Sequence, residues 1–452
     1  MKKFLVFCIC VLISATVFTA CGKDSTEAET PSGTDKISAD PVENGTNVPT
    51  DEGSSSPTDG TSEIHTHTFG EWKIIQALDC VHNEIRARSC ACGEIDSEIS
   101  QKAVGICEYD EFGYCTGCKS RVSVGLEYTL ASDGQTYVLS GMGSCTDTEL
   151  IIPDRYKGKT VSAIESDAFD GSEIQSVVIP NGVISLEKEM FKKCASLVSV
   201  TLGAGVQNAT EALLDAVSIK EITVSEENEV YSSLDGVLFS ADKKTLWVYP
   251  TSKGSVMYEV PDGVVAIEKQ AFANNRAISK VFFPKTLKII GNKSFNACKN
   301  LSSAELPDGL SVIRADAFSE CSNLEYISIP NSVEVISQSA FRLCNLKKVD
   351  IGEGVKEIGE FAFFKNENLA IITLPDSVRS IGMYAFGQCV SLSSITLPEA
   401  LESMDIGAFY CCEALQTIHF EGTKEQWDKV DKKNGWDELA GVFEVNFAKQ
   451  AE

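Results

Sequence analysis

A repeat of 23 residues is the feature of this sequence that most constrains its fold. A phenylalanine that follows a small residue recurs at intervals of 23, 23, 23, 22, 23 and 23 residues. These phenylalanines are Phe272, Phe295, Phe318, Phe341, Phe363, Phe386 and Phe409. A fixed period of roughly 20–29 residues is typical of a solenoid, in which each repeat buries its apolar face only against its neighbours. The sequence therefore predicts a stack of similar coils.

Each coil is expected to contain a short parallel strand, a return segment and a helical turn. In the stretch "LEYISIP", residues 324–330, leucine and isoleucine alternate with polar residues, so the apolar side chains should face the core. The closing proline ends the strand because it has no N–H to donate. In the helical turn that follows, Ala340 allows close packing and Phe341 is expected to form one step of an aromatic spine.

Five cysteines keep the same period, each three residues after a spine phenylalanine. They are Cys298, Cys321, Cys344, Cys389 and Cys412. A ladder of thiols that binds metal or oxidises is one interpretation, but parallel side chains would place the sulfurs alongside one another rather than in bonding geometry. Asn275 and Asn366 occupy the same step in two repeats, which fits a buried turn position. We therefore interpret these cysteines as small buried side chains.

The repeats resemble those of BspA-like leucine-rich-repeat surface proteins. The stretches "LKKVDIGEGVKEIGEFAF" and "LAIITLPDSVRSIGMYAFGQC" carry the likeness, which covers about residues 125–420. The resemblance implies a β-rich α/β repeat solenoid, a right-handed leucine-rich-repeat coil with short parallel strands and helical turns. It further implies a solenoid over residues 123–421, a hairpin insertion at 225–257 and a C-terminal cap at 422–452.

The N-terminus has the features of an export signal. Lys2 and Lys3 precede an apolar run over residues 4–18, and small residues lead to Cys21. A basic start, a short apolar run and a small-residue cleavage site predict a secretory signal over residues 1–20. The sequence around Cys21 resembles a bacterial lipobox, with phenylalanine where leucine is usual, so Cys21 is the predicted lipidation site of an outward-facing membrane lipoprotein. The alternative is an ordinary signal peptide and a secreted protein.

Residues 21–63 have the composition of a disordered tether. They consist mainly of Ser, Thr, Gly, Pro, Asp and Glu, with almost no large apolar side chain. Such a segment cannot offset the entropy of ordering by burial. A flexible coil of this length has a root-mean-square reach of roughly 35 Å.

Residues 64–122 are expected to form a small Cys-rich module ahead of the solenoid. The pattern resembles Cys-rich modules found before repeat domains in bacterial surface proteins. The candidate zinc ligands are a subset of Cys80, Cys90, Cys92, Cys107, Cys115 and Cys118. Closely spaced cysteine pairs are typical of structural zinc sites, whereas an exported module of this size could equally be held by disulfides. A structural zinc ion is the only cofactor that the sequence suggests.

Charge and motif content argue against two large classes of function. The chain has 39 Lys and Arg residues against 65 Asp and Glu residues, a net charge of −26, which disfavours nucleic-acid binding. The repeat region contains one histidine, His419, and the sequence has no nucleophile elbow, zinc-protease motif or phosphate loop. We therefore expect no enzymatic activity.

Binding through the outward face of the strands is the remaining interpretation. Family members are generally taken to be cell-surface adhesion or ligand-binding proteins, so the resemblance implies a protein ligand on a host or neighbouring cell. Among the outward strand positions, Phe282, Tyr326 and Lys348 combine size or charge with a central place, and they are the predicted ligand contacts. A structural cell-envelope interaction protein and a carbohydrate-binding surface protein are the alternatives.

Replacing Cys21 tests the predicted anchor. Cys21→Ala is expected to abolish membrane attachment and leave export intact, because the predicted lipid is carried by the cysteine. Fractionation of cells that express the variant measures this. A variant that stays in the membrane fraction would contradict the assignment of Cys21.

Overall fold

The computed structural model describes residues 69–76, 84–89, 95–101, 107–117 and 119–449. The chain divides into two compact units, residues 1–105 and residues 106–452. In the first unit, three strands form an antiparallel sheet, Lys73–Gln76, Glu84–Ser89 and Ile95–Gln101. The second unit is a β-solenoid, described in the following paragraphs.

The solenoid begins with a sheet of four strands. In chain order these are Glu127–Leu130, Tyr137–Gly141, Arg155–Tyr156 and Lys159–Ile164. The second and fourth pair in parallel, whereas the other two pairings are antiparallel. This sheet starts the core, because Leu139, Val161 and Ile164 are buried.

One side of the solenoid is a series of parallel strands, which we call the front sheet. Its strands are Glu149–Ile151, Ser176–Val178, Ser199–Leu202, Glu221–Val224, Met257–Glu259, Lys280–Phe282, Ser303–Glu305, Tyr326–Ile329, Lys348–Ile351, Ile371–Thr373, Ser394–Leu397, Thr417–Phe420 and Glu444–Phe447. They form hydrogen-bonded sets of four, three, two and four strands, all parallel. The predicted short parallel strands are confirmed.

The return segments form a second series of parallel strands, which we call the back sheet and which divides into two hydrogen-bonded sets between Ile289–Ile290 and Val312–Ile313. Its strands are Thr245–Val248, Ala266–Ile267, Ile289–Ile290, Val312–Ile313, Val335–Ile336, Glu357–Ile358, Ser380–Ile381, Ser403–Met404 and Asp431–Lys432. The first of these belongs to a hairpin, in which Tyr231–Leu234, Val237–Ser240 and Thr245–Val248 pair in antiparallel order. The hairpin lies in the core, since Val237 and Phe239 pack with the following coils and Leu238 packs with the preceding ones.

The spine phenylalanines are stacked through the interior, as the repeat predicted. All seven are less than 2% exposed. From Phe295 to Phe409, successive ring centroids lie 5.2, 5.5, 5.5, 5.4 and 5.7 Å apart, with interplanar angles of 3–9°. Tyr249 extends the stack, 4.7 Å from Phe272. Each ring therefore depends on the coils on either side for its burial.

The helical turns that the sequence predicts are scarce. The described residues contain two α-helices, Thr210–Asp215 and Lys424–Lys429, and neither includes a spine phenylalanine. No helix in the described part of the chain is long and apolar enough to cross a membrane.

The turns around the spine are instead held by hydrogen bonds between coils. The N–H groups of Asp316, Phe318 and Glu320 donate to carbonyls of the next coil at 2.9, 2.9 and 2.7 Å. Asp316 and Glu320 have left-handed backbone conformations, with φ of 54° and 64°, and the same two positions are left-handed in the neighbouring coils. This conformation aims alternate N–H groups along the solenoid axis, whereas an α-helix would bond them within its own coil. The turns thus form a third ladder beside the two sheets.

The C-terminal segment adds a final coil. Asp431–Lys432 pairs with Ser403–Met404, and Glu444–Phe447 pairs with Thr417–Phe420, both in parallel. The helix Lys424–Lys429 begins with a capping box, in which the Thr423 side chain accepts from the Gln426 N–H and the Gln426 side chain accepts from the Thr423 N–H. Trp436 stands edge-on to Phe409 at 5.9 Å, so the last spine ring is covered.

Truncation of the spine tests the importance of stacking. Phe318→Ala is expected to lower the free energy of unfolding by about 3–5 kcal/mol, because it removes a buried ring from between two others. Cys321→Ala, at a smaller buried side chain of the same turn, should cost about 1 kcal/mol. Denaturant unfolding of both variants compares them. Equal losses would contradict the primary role given to the spine.

Candidate binding surfaces

The outward side chains of the front sheet form two columns in register. Parallel pairing aligns Tyr326 with Lys348, and Ser328 with Asp350. The first column contains Met257, Lys280, Ser303, Tyr326, Lys348, Ile371, Ser394 and Thr417. The second contains Glu259, Phe282, Glu305, Ser328, Asp350, Thr373, Thr396 and His419. All three predicted ligand contacts are therefore on one face.

Tyr326 and Lys348 lie together and share one carboxylate. The Tyr326 hydroxyl and the Lys348 ammonium each donate to Asp350 Oδ2 at 2.8 Å. Lys348 Nζ also lies 5.3 Å from the centroid of the Tyr326 ring. The hydrogen bonds from Lys348 and then from Tyr326 lower the pKa of Asp350, so its carboxylate is charged at neutral pH. Lys348 and Asp350 thus hold the exposed Tyr326 side chain, 46% accessible, in one orientation.

Phe282 belongs to a separate cluster two coils away. Its ring is 37% exposed, and Lys280 Nζ lies 4.5 Å from the ring centroid. Lys280 also pairs with Glu305 at 3.1 Å. Because neighbouring coils are about 4.8 Å apart, Phe282 lies roughly 10 Å along the solenoid from Tyr326. The structure therefore brings Tyr326 and Lys348 together. Phe282 is far enough from them to contact a different part of a ligand.

A groove opens in the front sheet next to Lys348. The strands Lys348–Ile351 and Ile371–Thr373 belong to different hydrogen-bonded sets, and a groove of about 550 Å³ lies between them. Lys347, Asp350 and Ile371 are among the residues that line it, and Ile371 is 62% exposed. The groove coincides with the one repeat of 22 residues.

The repeat cysteines are hydrogen-bond donors in the core. The thiols of Cys298, Cys321 and Cys344 each point at the carbonyl of the spine phenylalanine in the preceding coil, at 3.0, 3.2 and 3.1 Å. Burial raises the pKa of Cys298 and of Cys389 to about 12, so these sulfurs keep their protons at neutral pH. A protonated, enclosed thiol is a poor nucleophile or metal ligand.

Asn366 replaces cysteine where the spacing is irregular. Its Nδ2 donates to the carbonyls of Phe341 and Phe363 at 2.9 and 2.8 Å, and its Oδ1 accepts from the Leu346 N–H at 3.1 Å. Phe341 and Phe363 bound the shortened repeat. Asn275, which follows the hairpin, likewise donates to the carbonyls of Pro250 and Thr251. An amide can satisfy backbone groups that a thiol, with a single donor, would leave unpaired. The exchange of Cys for Asn was the sequence signal for this role.

Four of the six candidate zinc ligands, Cys80, Cys90, Cys92 and Cys118, lie outside the described residues, as does Cys21. Of the other two, Cys115 is buried and Cys107 Sγ lies 3.9 Å from Ser120 Oγ. Residues 69–76, 84–89, 95–101, 107–117 and 119–449 contain no group of three or more His, Cys, Asp or Glu residues that could hold a metal ion. The zinc site stays a prediction.

Two sheets and a turn ladder around a phenylalanine spine define a leucine-rich-repeat-type solenoid. The family model of the BspA type leucine rich repeat region matches in six copies, over residues 148–241, 255–370 and 356–429. These segments make up more than half of the chain. The chain belongs to the BspA-type leucine-rich-repeat family.

Several solved structures are similar over most of their length. A leucine rich cell surface protein from Faecalibacterium prausnitzii is 18% identical, covers 69% of this chain and 98% of its own, and has a TM-score of 0.39. A leucine-rich repeat protein from Bacteroides ovatus is 22% identical, with coverage of 71% and 98% and a TM-score of 0.34. One from Eubacterium ventriosum is 19% identical, with coverage of 72% and 95% and a TM-score of 0.40. No curated protein matches the chain.

Because Asn366 bonds to three backbone groups, its replacement should lower the free energy of unfolding more than replacement of a repeat cysteine. Asn366→Ala should lower the free energy of unfolding by about 2–3 kcal/mol, because it leaves the Leu346 N–H and two carbonyls without their side-chain partner. Cys389→Ala, at the same step of the next coil, should cost about 1 kcal/mol because it removes a single weak donor. Denaturant unfolding measures both values. A cost for Asn366→Ala no larger than that for Cys389→Ala would contradict the role of Asn366.

Proposed function

We propose that this chain is an exported cell-surface protein that binds a protein ligand through its front sheet. Phe282, Tyr326 and Lys348 are the main contacts in this proposal. The observation that carries it is the Tyr326–Lys348–Asp350 cluster, in which the hydroxyl of an exposed tyrosine donates to a carboxylate that also accepts from a neighbouring lysine. Tyrosine held in this way adds contact area at little entropic cost on binding.

Several features of the front sheet favour a protein over a small ligand. The outward columns continue over successive coils, so the face is extended rather than enclosed. Phe282 and Tyr326 are far enough apart to meet different side chains of one partner. The groove beside Ile371 adds exposed apolar surface next to Lys348. Together these residues offer a protein partner two aromatic contacts and an apolar depression.

The same proposal places the solenoid outside the cell on a lipid tether. Lipid on Cys21 would hold the chain at the membrane, and residues 21–63 would extend the solenoid roughly 35 Å from it. A structural zinc ion would stabilise residues 64–122 without taking part in binding. The partner would then be a protein of a host or neighbouring cell, reached across this distance.

A double substitution tests the front sheet. Soluble chain lacking the signal segment is first assayed against immobilised extracellular-matrix and cell-surface proteins to find a ligand. Changing Phe282 and Tyr326 together to Ser should weaken that binding more than tenfold, about 1.4 kcal/mol or more, because both rings leave the contact surface. Surface plasmon resonance measures the affinity, and thermal unfolding verifies the fold.

The matched control removes two exposed apolar side chains elsewhere in the solenoid. Ile184 and Val217 are 54% and 60% exposed and lie outside the front-sheet strands. Changing both to Ser should leave the affinity within twofold of the original chain. Full binding by a folded Phe282/Tyr326 variant would move the ligand site away from the front sheet.

A further inference from the structure

The outer side of the turn ladder changes character along the solenoid. This change is seen at two positions of each repeat. They are the second residue before the spine phenylalanine and the first residue after it. From the coil of Phe272 to that of Phe341 these positions hold polar, charged or small residues, Gln270, Ala273, Lys293, Asn296, Asp316, Ser319, Ser339 and Arg342. In the next three coils they hold Phe361, Phe364, Tyr384, Gly387, Gly407 and Tyr410. Aromatic residues are thus concentrated near one end of this face.

These aromatic residues form a second stack outside the spine. The rings of Phe361 and Tyr384 are nearly parallel, 5.3 Å apart at 7°. Phe364 stands edge-on to Phe361 at 5.3 Å, and Tyr410 edge-on to Tyr384 at 5.4 Å. A Cβ atom at Gly407 would lie 2.4 Å from the Tyr384 ring, so glycine is needed there for the ring to fit. Phe364 and Tyr410 are buried, whereas Phe361 and Tyr384 are half-buried, so the two parallel rings of this stack reach the surface.

Half-buried and exposed apolar side chains continue the stack on the surface. The Phe361 N–H donates to the Met383 carbonyl at 2.8 Å, and the Tyr384 N–H to the Ile406 carbonyl at 3.0 Å, which places these residues side by side. Ile406 is 44% exposed, and the other three are partly exposed. We call Phe361, Met383, Tyr384 and Ile406 the turn-face patch.

Three carboxylates without ion pairs lie beside the turn-face patch, since Glu360 precedes Phe361, Asp405 precedes Ile406 and the charge of Glu438 acts on Tyr384. Glu360, Asp405 and Glu438 make no salt bridge to any described residue. Partial burial, and then the charge of Asp405, raise the pKa of Glu360. Burial, and then Glu438, raise the pKa of Tyr384. Lys433 lies near Asp405 but donates to Asp431 at 2.8 Å. The apolar patch therefore has a negative border.

The charged side chains that we compare with these carboxylates are the lysines of the front sheet. Its lysines Lys280, Lys347 and Lys348 are each paired with a carboxylate of the same face, at 3.1, 2.8 and 2.8 Å. These front-sheet lysines are therefore already engaged in ion pairs, whereas the carboxylates beside the turn-face patch have no ion-pair partner among the described residues. A chain with a net charge of −26 also attracts basic partners over a distance.

We propose that the turn-face patch binds a basic segment of a partner protein. Lysine and arginine side chains combine an apolar stem with a charged head, and the patch offers a surface for each part. The stems would pack on Tyr384, Met383 and Ile406, and the heads would pair with Glu360, Asp405 and Glu438. This site is on a different face from the front sheet, and it stands whether or not the front sheet binds a ligand.

A labelled Lys-Leu-Lys-Lys-Leu-Lys peptide and soluble chain containing the whole solenoid test the proposal by fluorescence anisotropy. The triple variant E360Q/D405N/E438Q should bind the peptide at least tenfold more weakly, because the ammonium groups lose their partners. The double variant M383S/I406S should bind several-fold more weakly, with the same fold-change in low and high salt. A Glu-Leu-Glu-Glu-Leu-Glu peptide should not bind.

The matched control separates a local site from general attraction. E226Q/E227Q/D262N removes the same number of charges from exposed carboxylates without salt bridges elsewhere in the solenoid, and it should change affinity less than twofold. Thermal unfolding establishes that each variant is folded. An equal loss in the control, unchanged binding in the triple variant, or no binding by the original chain would each overturn the proposal.

Discussion

Much of this structure depends on one repeated hydrogen bond, which joins the backbone of each spine phenylalanine to the next coil. The Phe318 N–H donates to the Ala340 carbonyl at 2.9 Å, and the same bond recurs in the neighbouring coils. It fixes the distance between coils at the turn without a break from Phe272 to Phe409, whereas each sheet is divided into separate hydrogen-bonded sets. The spine rings then meet at 5.2–5.7 Å from Phe295 onward, and each ring excludes water from the next. No coil can form these contacts alone, which is why the repeat is needed.

The sequence predicted the features that depend on side-chain period. Spacing of the phenylalanines identified the spine, and alternation in segments such as residues 324–330 identified the strands and their outward columns. It could not predict the conformation of the turns. Left-handed residues are usually glycine or asparagine, but here Asp316 and Glu320 adopt this conformation because bonds to the next coil compensate its cost. Only the stacked arrangement reveals that compensation.

The candidate sites, like the fold, could be predicted only in part from the sequence. Tyr326 and Lys348 were predicted separately as outward residues, and strand register places them side by side. Their shared bond to Asp350 depends on side-chain directions that no pattern specifies. The sequence did not predict the turn-face patch, because its aromatic residues, two before and one after a spine phenylalanine, occur in only a few of the coils. Position within the repeat, rather than aromatic content, was the signal that could have found it.

Amide hydrogen exchange tests the central claim, that the turn ladder joins each coil to the next alongside the paired strands of the two sheets. In the full solenoid, the N–H groups of Phe295, Phe318 and Phe341 in the turn ladder are compared with that of Ile327 in the front sheet. The account predicts protection of the turn amides within about tenfold of the sheet amide, since all open only when neighbouring coils separate. Turn amides that exchange at the rate of an unfolded chain while Ile327 stays protected would contradict it.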